Sequence, residues 1–392
     1  MSTARLRLWT SLLALGGAAT GFALVSDGAV AASAAGAPFH VSQILQGSSL
    51  HHTYTASGSS TSKTEALSDP DDISRWGDDL FVGFQNGVGP QGQASTDGNR
   101  DSTVVELTLS GHVVAQWDVL GKTDGVTADP GLGVIATVNE DANSALYLIH
   151  PTAPASSAVT RYAYSEPLPH GGGTDAISID NGQILISASA PGTSGAPAPQ
   201  PTYPAVYAVK LDSASNVASI SPLFFDESSA TVTNVGSAKF HTATKLALTD
   251  PDSSEVVPSP GPRFAGDFML TSQGDEEQIY VSHPGTAKQE LSVLSLTQSV
   301  DDTAWPSDAS GSLYTTDSTN DAVDVVTGPF VRNEPIVVAT PCGANGSPAT
   351  CPAPKFPANY LATLNPNTGA VTRVSITGAN YVPQGGLAFV AQ

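Results

Sequence analysis

The chain has 392 residues, with 36 Asp and Glu against 15 Lys and Arg, and a net charge of −21. This charge argues against nucleic-acid binding, which needs cationic side chains to neutralise phosphates, and against adhesion to anionic membrane surfaces. Hydrophobic residues make up 40% of the chain and charged residues only 13%, while glycine and proline are frequent. A disordered chain is therefore excluded, and short strands joined by turns are favoured.

The first 34 residues have the pattern of a secretory signal peptide. Arg5 and Arg7 precede an apolar stretch over residues 8–25, and Ala29-Val30-Ala31 offers a cleavage site of small residues. The alternative is a single membrane anchor, which the Gly and Thr residues inside the apolar stretch disfavour. We therefore assign residues 1–34 to a signal peptide and expect residues 38–392 to form one extracellular, monomeric domain.

A degenerate four-stranded repeat runs through the rest of the chain. Each unit opens on an acidic or polar residue just ahead of its first strand, and these openings are Asp72, Asp124, Asp175, Asp252, Asp302 and Gly385. They lie about 50 residues apart, except for two intervals of about 80, which is the spacing of propeller blades. The spacing predicts an all-β protein of the β-propeller class with six four-stranded blades. A seventh blade fits in the longer intervals, foremost in residues 329–357.

Two other folds compete with the propeller. A β-sandwich of this length needs two domains, and no linker divides the chain. A β-helix has a much shorter repeat. The propeller interpretation also predicts how the chain closes: the last strand, residues 384–390, lacks a unit of its own and takes its partners from strands predicted at residues 39–45 and 52–55.

The fifth unit receives the longest stretch of chain. We predict that it opens at residues 301–305 and continues through strands at 313–316, 322–326, 360–364 and 370–376. Its last turn, Leu364-Asn-Pro-Asn-Thr-Gly-Ala-Val371, resembles the c–d hairpin of YVTN-type blades. Pro383-Gln-Gly-Gly-Leu-Ala-Phe389 is similar to the opening strand of NHL and gluconolactonase-like blades.

This resemblance covers nearly the whole mature chain, and what it implies is the fold. Gluconolactonase-like propellers hold a metal in the channel with carboxylate and Asn ligands and open small lactone rings. Their ligand set is not matched here residue by residue. Glu65 precedes the first unit but does not align with the glutamate of that set.

Candidate site residues follow from the repeat, because the loops that lead into the first strands share one face of a propeller. They are Asp72, Asp124, Asp175, Asp252 and Asp302, together with His170 in the stretch His170-Gly-Gly-Gly-Thr-Asp175. Carboxylates suit a hard cation such as Ca²⁺, and an imidazole on a loop suits a general base or a metal ligand. The competing interpretation is that Asp occupies turns because it bonds its own backbone.

Further acidic residues occupy the second loop of each unit on the same predicted face: Asp97, Asp101, Glu140, Asp141, residues 275–277, Asp317 and Asp321. Outside this face, His51-His52 is interpreted as the polar start of a strand. Cys342 and Cys351 flank a turn-rich loop, and in an oxidising compartment we expect them to form a disulfide.

The function predicted from these observations is binding at the acidic channel face, of a small molecule, a glycan or a cation, with Ca²⁺ as the candidate cofactor. The alternative is a metal-assisted lactonase or hydrolase at the same face. Convergence of three or four opening carboxylates within reach of one metal would favour the hydrolase, and a scatter of carboxylates would favour binding. The motifs G-x-S-x-G, H-E-x-x-H and the P-loop do not occur in the sequence.

Overall fold

β-Strands make up the regular structure of the described residues, apart from three one-turn 3₁₀ helices at Gly47–Ser49, Ala155–Ser157 and Pro169–Gly171. The computed structural model describes residues 38–139, 144–192, 202–261, 263–342 and 358–392. The all-β prediction is confirmed. In these ranges no helix has the length and apolar character needed to cross a membrane. Signal-peptide residues 1–34 lie outside the described ranges, so that assignment stays a prediction.

The N-terminal strands divide between two sheets. β1 (Phe39–Gln46) pairs with strands from the C-terminal part of the chain, whereas β2 (His51–Thr55) and β3 (Ser62–Ala66) form a separate antiparallel hairpin. The prediction that residues 52–55 partner the last strand is therefore wrong. These residues are partnered instead by a strand only a short turn away, where closing a hairpin costs little chain entropy.

The next three sets of four strands follow chain order. The first set is β4 (Pro70–Trp76), β5 (Asp79–Phe84), β6 (Asp101–Thr108) and β7 (Val113–Leu120). The second set is β8 (Lys122–Asp129), β9 (Gly133–Asn139), β10 (Ala145–Ile149) and β11 (Val159–Tyr164). The third set is β12 (Ile177–Asp180), β13 (Gln183–Ser187), β14 (Pro204–Asp212) and β15 (Val217–Phe225). A short parallel pairing of β11 with β15 joins the second and third sets into one eight-stranded sheet.

The fourth set carries an extra hairpin. Its strands are β18 (Pro251–Val256), β19 (Phe268–Ser272), β20 (Glu277–Ser282) and β21 (Glu290–Ser295), and β16 (Ser229–Val232) and β17 (Ala243–Lys245) extend it beyond β21. This hairpin fills part of one of the long intervals in the repeat, so the interval holds an extension of an existing sheet.

The last two sets are interleaved along the chain. The fifth set is β22 (Val300–Ala304), β25 (Ile336–Ala339), β26 (Tyr360–Leu364) and β27 (Val371–Arg373). The sixth sheet is β23 (Gly311–Asp317), β24 (Ala322–Thr327), β28 (Ile376–Gly378) and β29 (Leu387–Ala391), with β1 between β24 and β28.

The prediction for unit five is therefore wrong: residues 313–316 and 322–326 pair with the two ends of the chain rather than with residues 301–305. Strand β25 lies within residues 329–357, the stretch assigned to a possible seventh blade, and belongs to the fifth set. Strands β22, β23 and β25 are all short and largely buried. A strand that is buried on both faces has no alternation of polar and apolar residues. The sequences of these strands are therefore alike and do not specify which strand each one pairs with.

The core lies between neighbouring sets rather than within them. Six clusters of buried apolar side chains each combine two adjacent sets, the last of these joining the sixth sheet to the first set. The middle strands are buried on both faces, as in β9, while the outer strand β7 alternates between exposed and half-buried positions. Apolar contacts between the faces of neighbouring sets therefore hold the sheets together.

The packing of β29 against the fifth and sixth sets can be tested directly by mutation. Leu387 is buried among side chains from the fifth and sixth sets. We expect Leu387→Ala to lower the free energy of unfolding by about 2–5 kcal/mol, the cost of a cavity in a packed core. Val114→Ala, at a 53% exposed position of β7, should change it by no more than about 0.5 kcal/mol. Urea unfolding at equilibrium measures both, and equal effects would contradict the packing of the last strand.

Candidate functional site

Four of the five opening aspartates lie at irregularities in the innermost strands, whereas Asp175 lies two residues before β12. The ladder skips between Pro70 and Ile73 in β4, between Thr123 and Gly125 in β8, between Pro251 and Ser253 in β18, and between Val300 and Thr303 in β22. A β-bulge leaves its extra residue outside the ladder and turns that side chain out of the regular alternation. The aspartates at these positions are therefore free to face the centre of the molecule.

These aspartates line one central cavity of about 720 Å³, a volume in the range of small-molecule pockets. The five predicted aspartates are all in its wall. Among the described residues, the wall holds two cationic side chains, Arg75 and Lys122, and ten carboxylates: Asp71, Asp72, Asp124, Asp129, Asp175, Asp250, Asp252, Glu255, Asp301 and Asp302. The cavity is thus strongly electronegative.

One half of the wall is neutralised by a built-in cation and by side-chain amides. Lys122 Nζ lies 2.5 Å from Asp124 Oδ1. The Gln85 amide donates to Asp71 Oδ2 and Asp124 Oδ1, both at 2.8 Å. The Asn139 amide donates to Asp124 Oδ2 at 2.5 Å and to Asp175 Oδ1 at 3.2 Å. Each amide comes from the end of the second strand of one set and bridges an aspartate of its own set to an aspartate of the next.

In this half of the wall, the pKa values of Lys122 and of the aspartates around it depend on one another. Burial alone would lower the pKa of Lys122, but the charges of Asp124 and Asp71 raise it above its usual value. Burial and the neighbouring Asp124 raise the pKa of Asp71 and of Asp175 well above the usual range, although Lys122 opposes both shifts. Lys122 therefore stays charged, and it supplies the cation that this cluster requires.

Two of the predicted aspartates brace neighbouring innermost strands. Asp72 accepts hydrogen bonds from its neighbour Ile73 N at 2.7 Å and from Val126 N of β8 at 2.6 Å. Asp302 accepts from Thr303 N at 2.7 Å and from Leu387 N of β29 at 2.6 Å. Burial raises the pKa of Asp72 to about 7 despite these two bonds. These two carboxylates therefore hold the strands in register as well as lining the cavity.

In the other half of the wall, no ion pair joins the acids to a Lys or Arg among the described residues. Asp252 and Asp301 lie close enough together to shift each other's pKa. Burial and the charge of Asp301 raise the pKa of Asp252 well above its usual range. Asp250 Oδ2 and Glu255 Oε2 are buried and have no hydrogen-bond partner in the described part of the chain. Burial raises the pKa of Asp250 to about 6 and that of Glu255 well above its usual range.

His170 and those acids of the second loops that the structure describes do not line this cavity. His170 is exposed, adopts a left-handed backbone conformation with φ of 59°, and packs against Tyr203 with ring centroids 4.4 Å apart. Its Nε2 lies 3.2 Å from the carbonyl oxygen of Pro191. Asp317 accepts from Val382 N at 2.9 Å and Asp275 from Thr249 N at 2.7 Å, so both stabilise loops. Glu140 and Asp141 lie outside the described residues, as does Cys351, and the disulfide with Cys342 stays a prediction.

The wall carboxylates do not converge on a point. Over the ranges that the structure describes, no group of three or more His, Cys, Asp or Glu side chains is spaced to hold a metal ion. The Ca²⁺ hypothesis requires such a group, so the described donors do not fit it. Glu65 also lies away from the cavity and contacts His52 Nε2 at 3.1 Å.

Sequence analysis missed several residues that shape the site. Lys122 precedes Asp124 by two positions in the same strand, a spacing that places both on one face, and this could have revealed the counter-ion. Gln85 and Asn139 carried no such signal, because their role depends on where the second strands end. Gly385 and Gly386 replace the aspartate in the sixth opening. A Cβ atom on Gly386 would lie 2.3 Å from Ile73 N, so only glycine allows β29 to approach β4 this closely.

No known protein family matches the sequence, and no curated protein does. Solved structures of β-propeller type resemble the chain in fold. A protein of unknown function from Bacteroides caccae has 8% identity and a TM-score of 0.44, and the alignment covers 87% of this chain and 99% of that one. The periplasmic gluconolactonase of Pseudomonas aeruginosa has 11% identity and a TM-score of 0.43, over 86% and 94% of the two chains. Streptogramin B lyase has 13% identity and a TM-score of 0.38, over 86% and 90%.

Proposed function

We propose that this chain is an exported, ring-closed, six-bladed propeller that binds a positively charged small molecule in its acidic central cavity. Two features support the closed ring. Strand β29 contacts both β22 and β4 among the innermost strands. The six apolar clusters also follow one another without a gap around the sets, from the first to the sixth and back to the first.

The observation that carries the binding proposal is the unneutralised half of the cavity wall. Asp250 Oδ2 and Glu255 Oε2 are buried without a protein partner in the described residues, next to the Asp252–Asp301 pair. Leaving a buried carboxylate unpaired is costly, so such groups stay protonated or take up a cation. A ligand that brings its own positive charge removes this cost.

An organic cation fits this wall better than a metal ion. A metal ion needs several oxygens at one point, and the described carboxylates are distributed around the wall instead. A linear molecule with separated ammonium groups can pair with separated carboxylates. The lactonase alternative depends on a converging metal site, so we do not carry it forward.

Binding should depend on pH in a defined direction. The pKa values of Asp250, Asp252 and Glu255 are raised, chiefly by burial, so these groups hold protons in the empty protein at mildly acidic pH. A cationic ligand favours their ionised forms and must displace those protons. Affinity should therefore rise as the pH increases from about 5 to about 8.

Spermidine, a linear triamine, is a suitable probe of this cavity. We expect it to bind the purified mature protein at low ionic strength and about pH 8, with binding weakened by added salt. Asp252→Asn should weaken binding by roughly tenfold to a hundredfold, because it removes one charged hydrogen-bonding partner. Isothermal titration calorimetry measures both affinities.

The matched control is Asp78→Asn, which removes one negative charge at an exposed turn outside the cavity wall. It should leave spermidine affinity within about twofold of the wild type, since exposed charges contribute little. Equal losses in Asp252→Asn and Asp78→Asn would mean that spermidine responds to net charge alone and would overturn the proposed site. Absence of any spermidine binding would do the same.

The stability of the empty protein should fall with rising pH because of Asp72. Its pKa is about 7 in the folded protein against 3.8 as the usual value. Protonation therefore stabilises the fold fully below about pH 4, and this contribution is lost as the pH rises through about 7. At about 1.4 kcal/mol per pKa unit, the loss is at most on the order of 4 kcal/mol.

Asp72→Asn removes this titration, so its free energy of unfolding should fall less between about pH 5 and pH 8 than that of the wild type. Urea unfolding across the pH range gives the two slopes, and Asp78→Asn should keep the wild-type slope. Parallel slopes for the wild type and Asp72→Asn would show that Asp72 does not hold a proton in the folded protein.

A further inference from the structure

The β2–β3 hairpin attaches to the first set mainly through polar contacts. It forms a two-stranded sheet of its own and does not join the ladder of β7. The Gln116 amide on β7 donates to the carbonyl oxygen of His51 at 2.8 Å. The strongest charged contact comes from the next residue, His52, which is only 2% exposed.

His52 lies between two carboxylates that come from different elements. Its Nδ1 is 3.2 Å from Asp118 Oδ1 on β7, and its Nε2 is 3.1 Å from Glu65 Oε1 on β3. A neutral imidazole has one N–H and therefore leaves one ring nitrogen with a lone pair. Because both nitrogens face carboxylate oxygens, the geometry favours the doubly protonated, positively charged ring.

The surroundings of His52 favour that charge. Burial alone would lower the pKa of His52, but the hydrogen bonds and charges of Asp118 and Glu65 outweigh burial and raise it. Tyr54 stacks on the ring at a centroid distance of 5.5 Å. Asp101 is a third carboxylate nearby, and burial and the charge of Asp118 raise its pKa although His52 and Arg100 oppose that shift. Asn99 Nδ2 lies 3.5 Å from Nε2 and contributes no charge.

The same hairpin holds one turn of the loop between β5 and β6. Ser57 N donates to the carbonyl oxygen of Gly98 at 2.9 Å, and Lys63 Nζ donates to that of Asp97 at 2.8 Å. This loop also supplies Pro90 to the wall of the central cavity. A change in the position of the hairpin therefore affects a loop that borders the cavity.

We propose that protonated His52 acts as a pH-dependent clasp, which holds the β2–β3 hairpin and the turn at residues 95–99 against the first set. Loss of the proton leaves one carboxylate facing a lone pair and releases both segments. The clasp does not depend on cation binding in the cavity.

The direction of the pH effect follows from the raised pKa of His52. The clasp contributes its full stability below the usual pKa of 6.5 and loses it as the pH rises through the folded-state pKa. The hairpin should therefore be closed at about pH 6 and open at about pH 9.5.

Hydrogen exchange of the wild-type mature protein tests the clasp, with rates corrected for the intrinsic effect of pH. From about pH 6 to about pH 9.5, residues 51–66 and 95–99 should lose protection together by roughly tenfold to a hundredfold, while β9 keeps its protection. ¹⁵N spectra of histidine-labelled protein should show both ring nitrogens of His52 protonated at about pH 6.5. A proton on only one ring nitrogen of His52 at that pH, or protection of the hairpin that does not change with pH, would overturn the proposal.

Neighbouring histidines provide the matched variants. His51→Gln alters an exposed ring and keeps the carbonyl that Gln116 contacts, so its exchange profile should follow that of the wild type. His52→Gln should be unprotected over residues 51–66 at every pH while β9 remains protected. A pH-dependent profile that persists in His52→Gln would assign the effect to another group and would contradict the clasp. If His52→Gln does not fold, the wild-type ¹⁵N titration still decides the question.

Discussion

Hydrogen bonds from backbone N–H groups to buried carboxylates between adjacent innermost strands are the constraint on which the rest of the structure depends. Bulges at four of the openings take their aspartates out of the ladder, and the freed carboxylates of Asp72 and Asp302 bind the N–H groups of Val126 and Leu387 in neighbouring strands. An acidic cavity follows from this arrangement, because the groups that join the strands are carboxyl groups. Asp72 and Asp302 thus bond backbone N–H groups, as the competing interpretation of these aspartates requires, and their role as ligand-site residues stays a proposal.

The two halves of the cavity wall differ in how their carboxylates are neutralised, and the proposed binding depends on this difference. Around Asp124, one lysine and two amides provide the positive charge and the N–H donors that the carboxylates need. Around Asp252 and Glu255 the described residues provide neither, and protons take their place. A ligand with positive charge would complete the second half in the same way that Lys122 completes the first.

The strands of the first four sets could be read from the sequence, because turn residues and apolar runs recur there at regular intervals. The pairing of residues 313–326 could not, because buried strands such as β23 and β25 have similar apolar patterns and their partners are distant in sequence. The repeat identified five of the nine aspartates in the described cavity wall. It could not identify Glu255, which follows the opening by several residues, or His52, whose burial depends on Asp118 from a different element.

The interleaving of the last two sets has a consequence for the order in which the chain folds. Strands β23 and β24 are synthesised before β25–β27, yet their sheet also needs β1 from the start of the domain and β29 from its end. The sixth sheet is therefore incomplete until almost the last residue is available, whereas the fifth set is complete at Arg373. Such long-range pairing makes folding slow and leaves strand edges open in the meantime. In a chain that folds from its N-terminus, the first three sets can form early, whereas the sixth sheet must wait for β29.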